Sequence, residues 1–575
     1  MQRDLAALER TEFDLVVVGG GMFGAAVALD AAQRGLRAAL IERADFAGAT
    51  SSHSFKMVHG GIRYLQHADI ARVRHSARAR AAFLRAAPHL VRPLPIVVPT
   101  YGHGMKGKLA LRAGMAAYDM LTADRNRGIA DPARRIPPAH FLGRDEVRRR
   151  YPGLPAEGLS GAGVFCDGQM YNPPRLVLAY VQSAVTAGAV CANYVEATGL
   201  LERAGRVHGV TARDVAGDAR FEVRGRVVVN AAGPYAEWLL NRGLGRALSP
   251  PTPFSRDAYF VVRRPLLEGD HAVTLTAATT DPDALISRGS RHLFLAPWRG
   301  ATLIGVWHKV YQGHPDEYEI GGTELAAWIA EVNAAYRGLD LTLRDVALGS
   351  AGLVPFGENN PESAHLKFAH RSRLVDHRTE RGLNGLLTLI GVRYTTGPVE
   401  AVEVVNLVGR HLGRSLAASR IETAPVHGGS FSEFEALVAE LVALAPPAVS
   451  EASVRALAHN HGTTASTVLS LARSRPEWST PLHGSEVLGA EIVHAARAEM
   501  ALTLADAVFR RTDLCTVGHP GEASLRSAAR IMAECCGWDP PRIDAEQAYV
   551  RGRLQLATTG RALLAEPKMA RALVA

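Results

Sequence analysis

Phe13-Asp14-Leu15-Val16-Val17-Val18-Gly19-Gly20-Gly21-Met22-Phe23-Gly24-Ala25-Ala26 is the stretch from which the rest of the chain is read. Leu15 to Val18 is a short β-branched run, the signal of a buried parallel strand. Glycines follow in the order Gly19-x-Gly21-x-x-Gly24, and Ala25 to Arg34 then reads as a helix. Gly19 permits the tight turn, Gly21 lets backbone approach a pyrophosphate, and Gly24 lets helix and strand pack closely. The helix N-terminus, with Met22 and Phe23, offers unpaired N–H groups and partial positive charge to phosphates. Arg37 to Ile41 reads as the second strand, closed by Glu42 and followed by Arg43. An acidic residue roughly 20 positions beyond the glycines binds a ribose diol. A carboxylate there disfavours a 2′-phosphate, so FAD or NAD fits and NADP does not.

At 575 residues the chain is too long for one core and divides into two or three domains. A hydrophobic fraction of 47% and a charged fraction of 21% describe an ordinary globular protein. The net charge of +9 comes almost wholly from arginine, since lysine occurs only at 56, 106, 108, 309, 367 and 568. Such a surface favours anionic substrates or an anionic membrane face. No basic block interleaved with aromatics is present, which argues against a nucleic-acid partner. The cysteines, Cys166, Cys191, Cys515, Cys535 and Cys536, are odd in number and lack CxxC spacing, so neither a disulfide framework nor a zinc site is expected. No metal site is expected elsewhere. Neither a signal peptide nor an apolar run of about 18–20 residues is evident, so a cytoplasmic protein with at most peripheral membrane contact is expected.

Beyond the first β-α-β unit, residues 45–65 are rich in Ser and Gly yet carry aromatics, Lys, His and Arg, the mark of a functional loop. Ala49-Thr50-Ser51-Ser52 and His59-Gly60-Gly61-Ile62-Arg63-Tyr64-Leu65 within it resemble FAD-dependent sn-glycerol-3-phosphate dehydrogenases, relatives of the D-amino-acid oxidases. The resemblance continues at Asn230-Ala231-Ala232-Gly233-Pro234, at Phe294 to Trp298, at Gly391-Val392-Arg393-Tyr394-Thr395-Thr396, and at Asp506-x-x-x-Arg510-Arg511-Thr512. It implies FAD held by these stretches, with Val195 passing the adenine end. It also implies an α/β Rossmann-like FAD-binding domain (1–90, 160–250 and 345–420), an antiparallel-sheet substrate cap (91–159 and 251–344) and an all-helical C-terminal domain (425–575). The proline-rich run Pro88 to Pro99 reads as the crossing into the cap, and the C-terminal domain reads as stabilising or oligomerising, compatible with a homodimer.

The departures from the family lie on the substrate side. Val354 stands where the family has the Arg of Ser-Gly-Val-Arg-Pro-Leu, and Pro398 replaces a later Arg. Arg393 replaces a Lys, Arg256-Asp257-Ala258-Tyr259 replaces Lys-Gly-Ser-His, and Gly305-Val306-Trp307-His308 replaces Gly-Thr-Thr-Asp. Valine forgoes a bidentate guanidinium contact. A more aromatic pocket from Tyr259, Trp307 and Tyr394 is therefore expected, with Arg63, Tyr64 and Arg393 holding an anionic alcohol. The chemistry implied is hydride transfer from a C–H bond to flavin N5, with His59, His308 or Tyr259 as the base, and with quinone or O₂ as the final acceptor. An amine or amino-acid oxidase and a non-catalytic FAD-binding scaffold are the competing readings.

Overall fold

The computed structural model describes residues 1–102, 107–245, 253–280, 290–355, 372–555 and 562–563. The helical reading of 556–561 and 564–575 lies outside the described residues. The first strand runs Phe13–Val18 and is buried throughout. Parallel pairing places Ala38–Ile41 on one side of it and Arg220–Asn230 on the other, with Val190–Ala192 and Leu386–Ile390 extending the sheet outward. An antiparallel strand, Arg373–Asp376, closes one edge. Burial on both faces explains why Leu15 to Val18 reads as an unbroken apolar run. The helix after the glycine turn, Met22–Gln33, is buried from Gly24 to Ala32 and packs against helices Pro173–Thr186 and Gly397–Leu412. Strand 220–230 serves twice, because its first half also pairs antiparallel with Arg206–Asp214, which pairs in turn with Val195–Arg203.

The second, nine-stranded sheet follows the order 346–355, 254–262, 301–311, 290–298, 272–280, 91–101, 159–170, 57–58, with 140–143 beside 159–170. It is largely antiparallel and buries helix Gly322–Ala335 on the face turned away from the first sheet. Strands 159–170 and 346–355 both belong to it, so boundaries drawn at 160 and 345 cut through this sheet. Pro88 to Pro99 leads into this second sheet, and does so as a strand: Val91–Tyr101 is paired along its length with 159–170. Pro93, Pro95 and Pro99 share one parity, so their missing N–H groups fall on one side of the strand. Pairing on its other flank, with 272–280, is confined to Ile96 and Val97.

Residues 434–554 form a helical domain around its own core of Leu, Val and Ala. One exception to its all-helical character is the short strand Ala562–Leu563, which pairs with Glu319–Ile320. Among the described residues no helix is long and apolar enough to cross a membrane. The helical domain grips the nucleotide-binding body through charge. Asp45, fully buried, accepts from Arg510 Nε at 2.6 Å, from both terminal nitrogens of Arg511 at 2.6 and 2.7 Å, and from Asn193 Nδ2 at 2.9 Å. Burial alone would raise the Asp45 carboxyl; the charges of Arg511 and Arg510 outweigh it and hold the group ionised below its ordinary value. Arg175 and Glu499 form a second buried pair across the same seam, at 2.6 Å.

Arg511→Met leaves Asp45 and Arg510 with a broken network, so a loss of roughly 3–5 kcal/mol in denaturant unfolding is expected.

Candidate functional site

A cavity of about 2190 Å³ lies between the two sheets. Its floor is the glycine turn. Gly19 has φ +111°, and a Cβ there would meet the Ala231 carbonyl oxygen at 2.6 Å. A Cβ on Gly24 would meet the Gly19 carbonyl oxygen at 1.9 Å, so Gly24 closes helix onto turn and does not itself reach the cavity. Gly391 is equally constrained, since a Cβ would fall 2.1 Å from the Phe23 ring. Bare backbone is therefore presented from Gly19, Gly21, Ala231, Ala232, Gly233, Gly391 and Val392 to one space. A flavin dinucleotide fits this cradle.

The other proposed cofactor contacts divide. Met22, Phe23, Glu42, Arg43, Thr50, Ser51, His59, Gly61, Arg393, Tyr394 and Thr395 line the cavity. Ser51 Oγ accepts from the Met22 amide at 3.0 Å, so the helix mouth acts as a donor site. Glu42 accepts from the Gly20 and Ala44 amides at 2.6 and 2.9 Å, which aims its carboxylate at the turn. Arg43 stacks 3.5 Å from the centroid of Tyr235 and pairs with Asp316 at 2.6 Å, joining the two sheets over this end. Ser52 faces inward, donating to the Ala47 carbonyl. Gly60 is walled off by Arg80 and Tyr118. Val195 is buried in the core with Leu8 and Phe13, and its amide is spent on the Glu42 carbonyl at 2.8 Å. The next two residues, Glu196 and Ala197, line the cavity in its place.

On the substrate side Arg63, Tyr64, Tyr259, His308, Val354 and Arg393 reach the cavity. Arg393 donates to Tyr64 Oη at 3.3 Å and Ser76 Oγ at 3.1 Å. Trp307 does not reach it. It lies between Val306 and His308, both of which line the cavity, so strand alternation turns it away. Its ring stacks 4.7 Å from Trp328 and 5.7 Å from Phe260, and its Nε1 donates to Glu331. The aromatic enrichment therefore falls to Tyr259 and Tyr394. Tyr259 Oη accepts from Lys56 Nζ at 2.6 Å, and burial raises its pKa, which disfavours the ionised form a base needs. His308 Nδ1 is held by Asp257 at 2.7 Å.

Two groups at the site have no role assigned to them by the sequence reading. Asp167, buried on strand 159–170, accepts from the Gly60 amide at 2.7 Å and from Arg80 at 2.8 Å, and contacts His59 Nδ1 at 3.1 Å. Burial raises its carboxyl, but the His59 hydrogen bond and the Arg80 charge outweigh that and hold it ionised. The second is Lys56, the one lysine in the Ser-rich loop. Burial, with repulsion from Arg299, pushes its ammonium down to about 7. Among the described residues nothing beyond Thr395 lines the cavity, so the helical domain holds the site without entering it.

The FAD dependent oxidoreductase family matches residues 14–391, and the C-terminal domain of alpha-glycerophosphate oxidase matches residues 419–543. The chain belongs to the FAD-dependent glycerol-3-phosphate dehydrogenase family. It is 31% identical to a glycerol-3-phosphate dehydrogenase of Mycobacterium leprae, over 96% of this chain and 90% of that one. It is 30% identical to an alpha-glycerophosphate oxidase of Streptococcus pneumoniae, over 88% and 89%. The fold is that of the Bacillus halodurans glycerol-3-phosphate dehydrogenase solved with FAD, with a TM-score of 0.73, 23% identity and 96% of each chain covered. Membership in this family favours alcohol oxidation over the amine-oxidase and scaffold readings.

Lys56 supplies a test of burial. Its folded pKa of about 7 lies below the ordinary 10.5, so above pH 7 the unfolded chain binds more protons and rising pH favours the fold. The difference in Tm between Lys56→Met and the wild type is expected to move against the variant from pH 6 to pH 9.

Proposed function

We propose that the protein is an FAD-dependent dehydrogenase that oxidises the CH–OH group of a small anionic polyol phosphate. One observation carries the reading: a dinucleotide cradle and the guanidinium groups of Arg63 and Arg393 share a single cavity. Bound FAD supplies the two-electron acceptor. Glu42 would take the ribose hydroxyls, the Met22 helix mouth with Ser51 the pyrophosphate, and Gly391 to Thr395 the ring end. Arg63 and Arg393 grip the substrate anion, with Tyr64 and Ser76 fixing the Arg393 guanidinium by hydrogen bonds.

His59 takes the hydroxyl proton. Its Nδ1 faces the ionised Asp167, which fixes the tautomer and leaves Nε2 to act as base. The side chain is 56% exposed, toward a space wide enough to admit substrate. Asp167 then steadies the imidazolium. In the absence of Arg at 354, the anion rests on Arg63 and Arg393.

For the electron acceptor, we infer a membrane quinone. Helix Lys108–Leu121 lines the cavity with Leu111, Gly114 and Met115 and turns Leu109, Ala113, Ala116 and Met120 to solvent. Leu109 is 81% exposed and Met120 76%, with Arg112 beside them. An apolar stripe next to a cation suits the interface of an anionic bilayer.

Anaerobic mixing with glycerol 3-phosphate is expected to bleach the flavin. His59→Gln should keep the oxidised flavin spectrum and lose about 10²–10⁴ in kcat; an unchanged kcat removes His59 as the base. Arg63→Ala should act mainly through KM. The double variant Leu109→Glu/Met120→Glu should lose binding to phosphatidylglycerol vesicles while retaining activity with a water-soluble acceptor.

A further inference from the structure

The cavity wall formed by the second sheet is chemically distinct from the arginine-lined region. Strand 254–262 lies between 301–311 and 346–355, and Asp257 is in register with His308 on one side and Gly352 on the other. Ser255 is in register with Val354. Arg256 turns the other way, to Glu324 and the Glu319 carbonyl, and Ala258 lies in the core beneath the sheet. Among these wall positions the charged side chain turned to the cavity is therefore the Asp257 carboxylate.

That carboxylate is held in place. Oδ1 accepts from Ser255 Oγ at 2.5 Å and meets His308 Nδ1 at 2.7 Å. Oδ2 has no protein partner among the described residues, and the side chain is 25% exposed. Buried and half-buried carboxylate oxygens seek donors. A phosphate is excluded here by like charge, whereas a hydroxyl hydrogen satisfies the oxygen. Thr274 and Thr276 continue the polar wall. Strand 272–280 stands three places from 254–262 in the sheet. At about 4.8 Å per strand the wall from Asp257 to Thr276 spans roughly 14 Å, longer than a three-carbon phosphate, and along it His308 and His292 alternate with Val306 and Phe294.

We propose that Asp257 sets substrate length by accepting a hydrogen bond from a hydroxyl of a polyol phosphate longer than glycerol 3-phosphate, with His308 and Ser255 as its positioning residues. This rests on the function proposed above: the anion sits at Arg63 and Arg393, His59 serves the reacting carbon, and Asp257 reads the distal chain.

The experiment uses FAD-loaded enzyme and compares kcat/KM for glycerol 3-phosphate, erythritol 4-phosphate, ribitol 5-phosphate and an amino-alcohol phosphate, followed by anaerobic flavin reduction. The wild type is expected to favour the four- or five-carbon polyol phosphate at least ten-fold over glycerol 3-phosphate. Asp257→Asn should shrink that preference at least ten-fold, chiefly through KM, with the flavin spectrum intact. His308→Gln should shrink it less. A preference for glycerol 3-phosphate, a preference for the amine, or a ratio untouched in both variants overturns the inference and leaves the alcohol-dehydrogenase reading standing. Failure of every alcohol phosphate to reduce the flavin overturns both.

Discussion

The grip of Arg510 and Arg511 on Asp45 is the interaction on which the rest of the architecture depends. Asp45 lies between Glu42, at the end of the second strand, and Thr50 and Ser51, which border the glycine turn. A carboxylate that deep is tolerated only because charged donors surround it. The charged donors come from a different domain, so the cofactor loop is tied to the helical domain through this one carboxylate. Chemistry and scaffolding are thus divided between separate parts of the chain.

Around that seam each sheet has its own task. The parallel sheet delivers bare backbone at the C-terminal ends of its strands, where a dinucleotide binds in open α/β folds. The antiparallel sheet delivers side chains, one every second residue. Asp167 bridges the two tasks: it fixes the Gly60 backbone next to the cofactor loop and the imidazole of His59 on the substrate side. Arg43 with Tyr235 and Asp316 does the same at the opposite end of the cavity.

What the sequence made legible follows contact distance along the chain. Strand, glycine turn, the helix after it and Glu42 lie within thirty positions, and their reading depends on local geometry. Asp167 acts through Arg80, 87 residues away, and Asp45 through Arg511, 466 residues away; no local pattern announces such partners. Trp307 is a different kind of miss. An aromatic near a substrate strand suggested a pocket wall, yet parity with Val306 and His308 already assigned it to the opposite face. The prolines at 93, 95 and 99 carried a similar clue, since prolines on alternate residues are compatible with one poorly paired flank of a strand. Lys56 was visible as a rare lysine, but its low pKa comes from burial that only the assembled loop creates.

Among the described residues the helical domain contributes nothing to the cavity wall, yet its inner side is tied by buried charge to the cofactor loop. Its two faces are therefore under unequal evolutionary constraint. The inner face must preserve a particular arrangement of guanidinium and carboxylate groups, whereas the outer helices can diverge at little cost to catalysis.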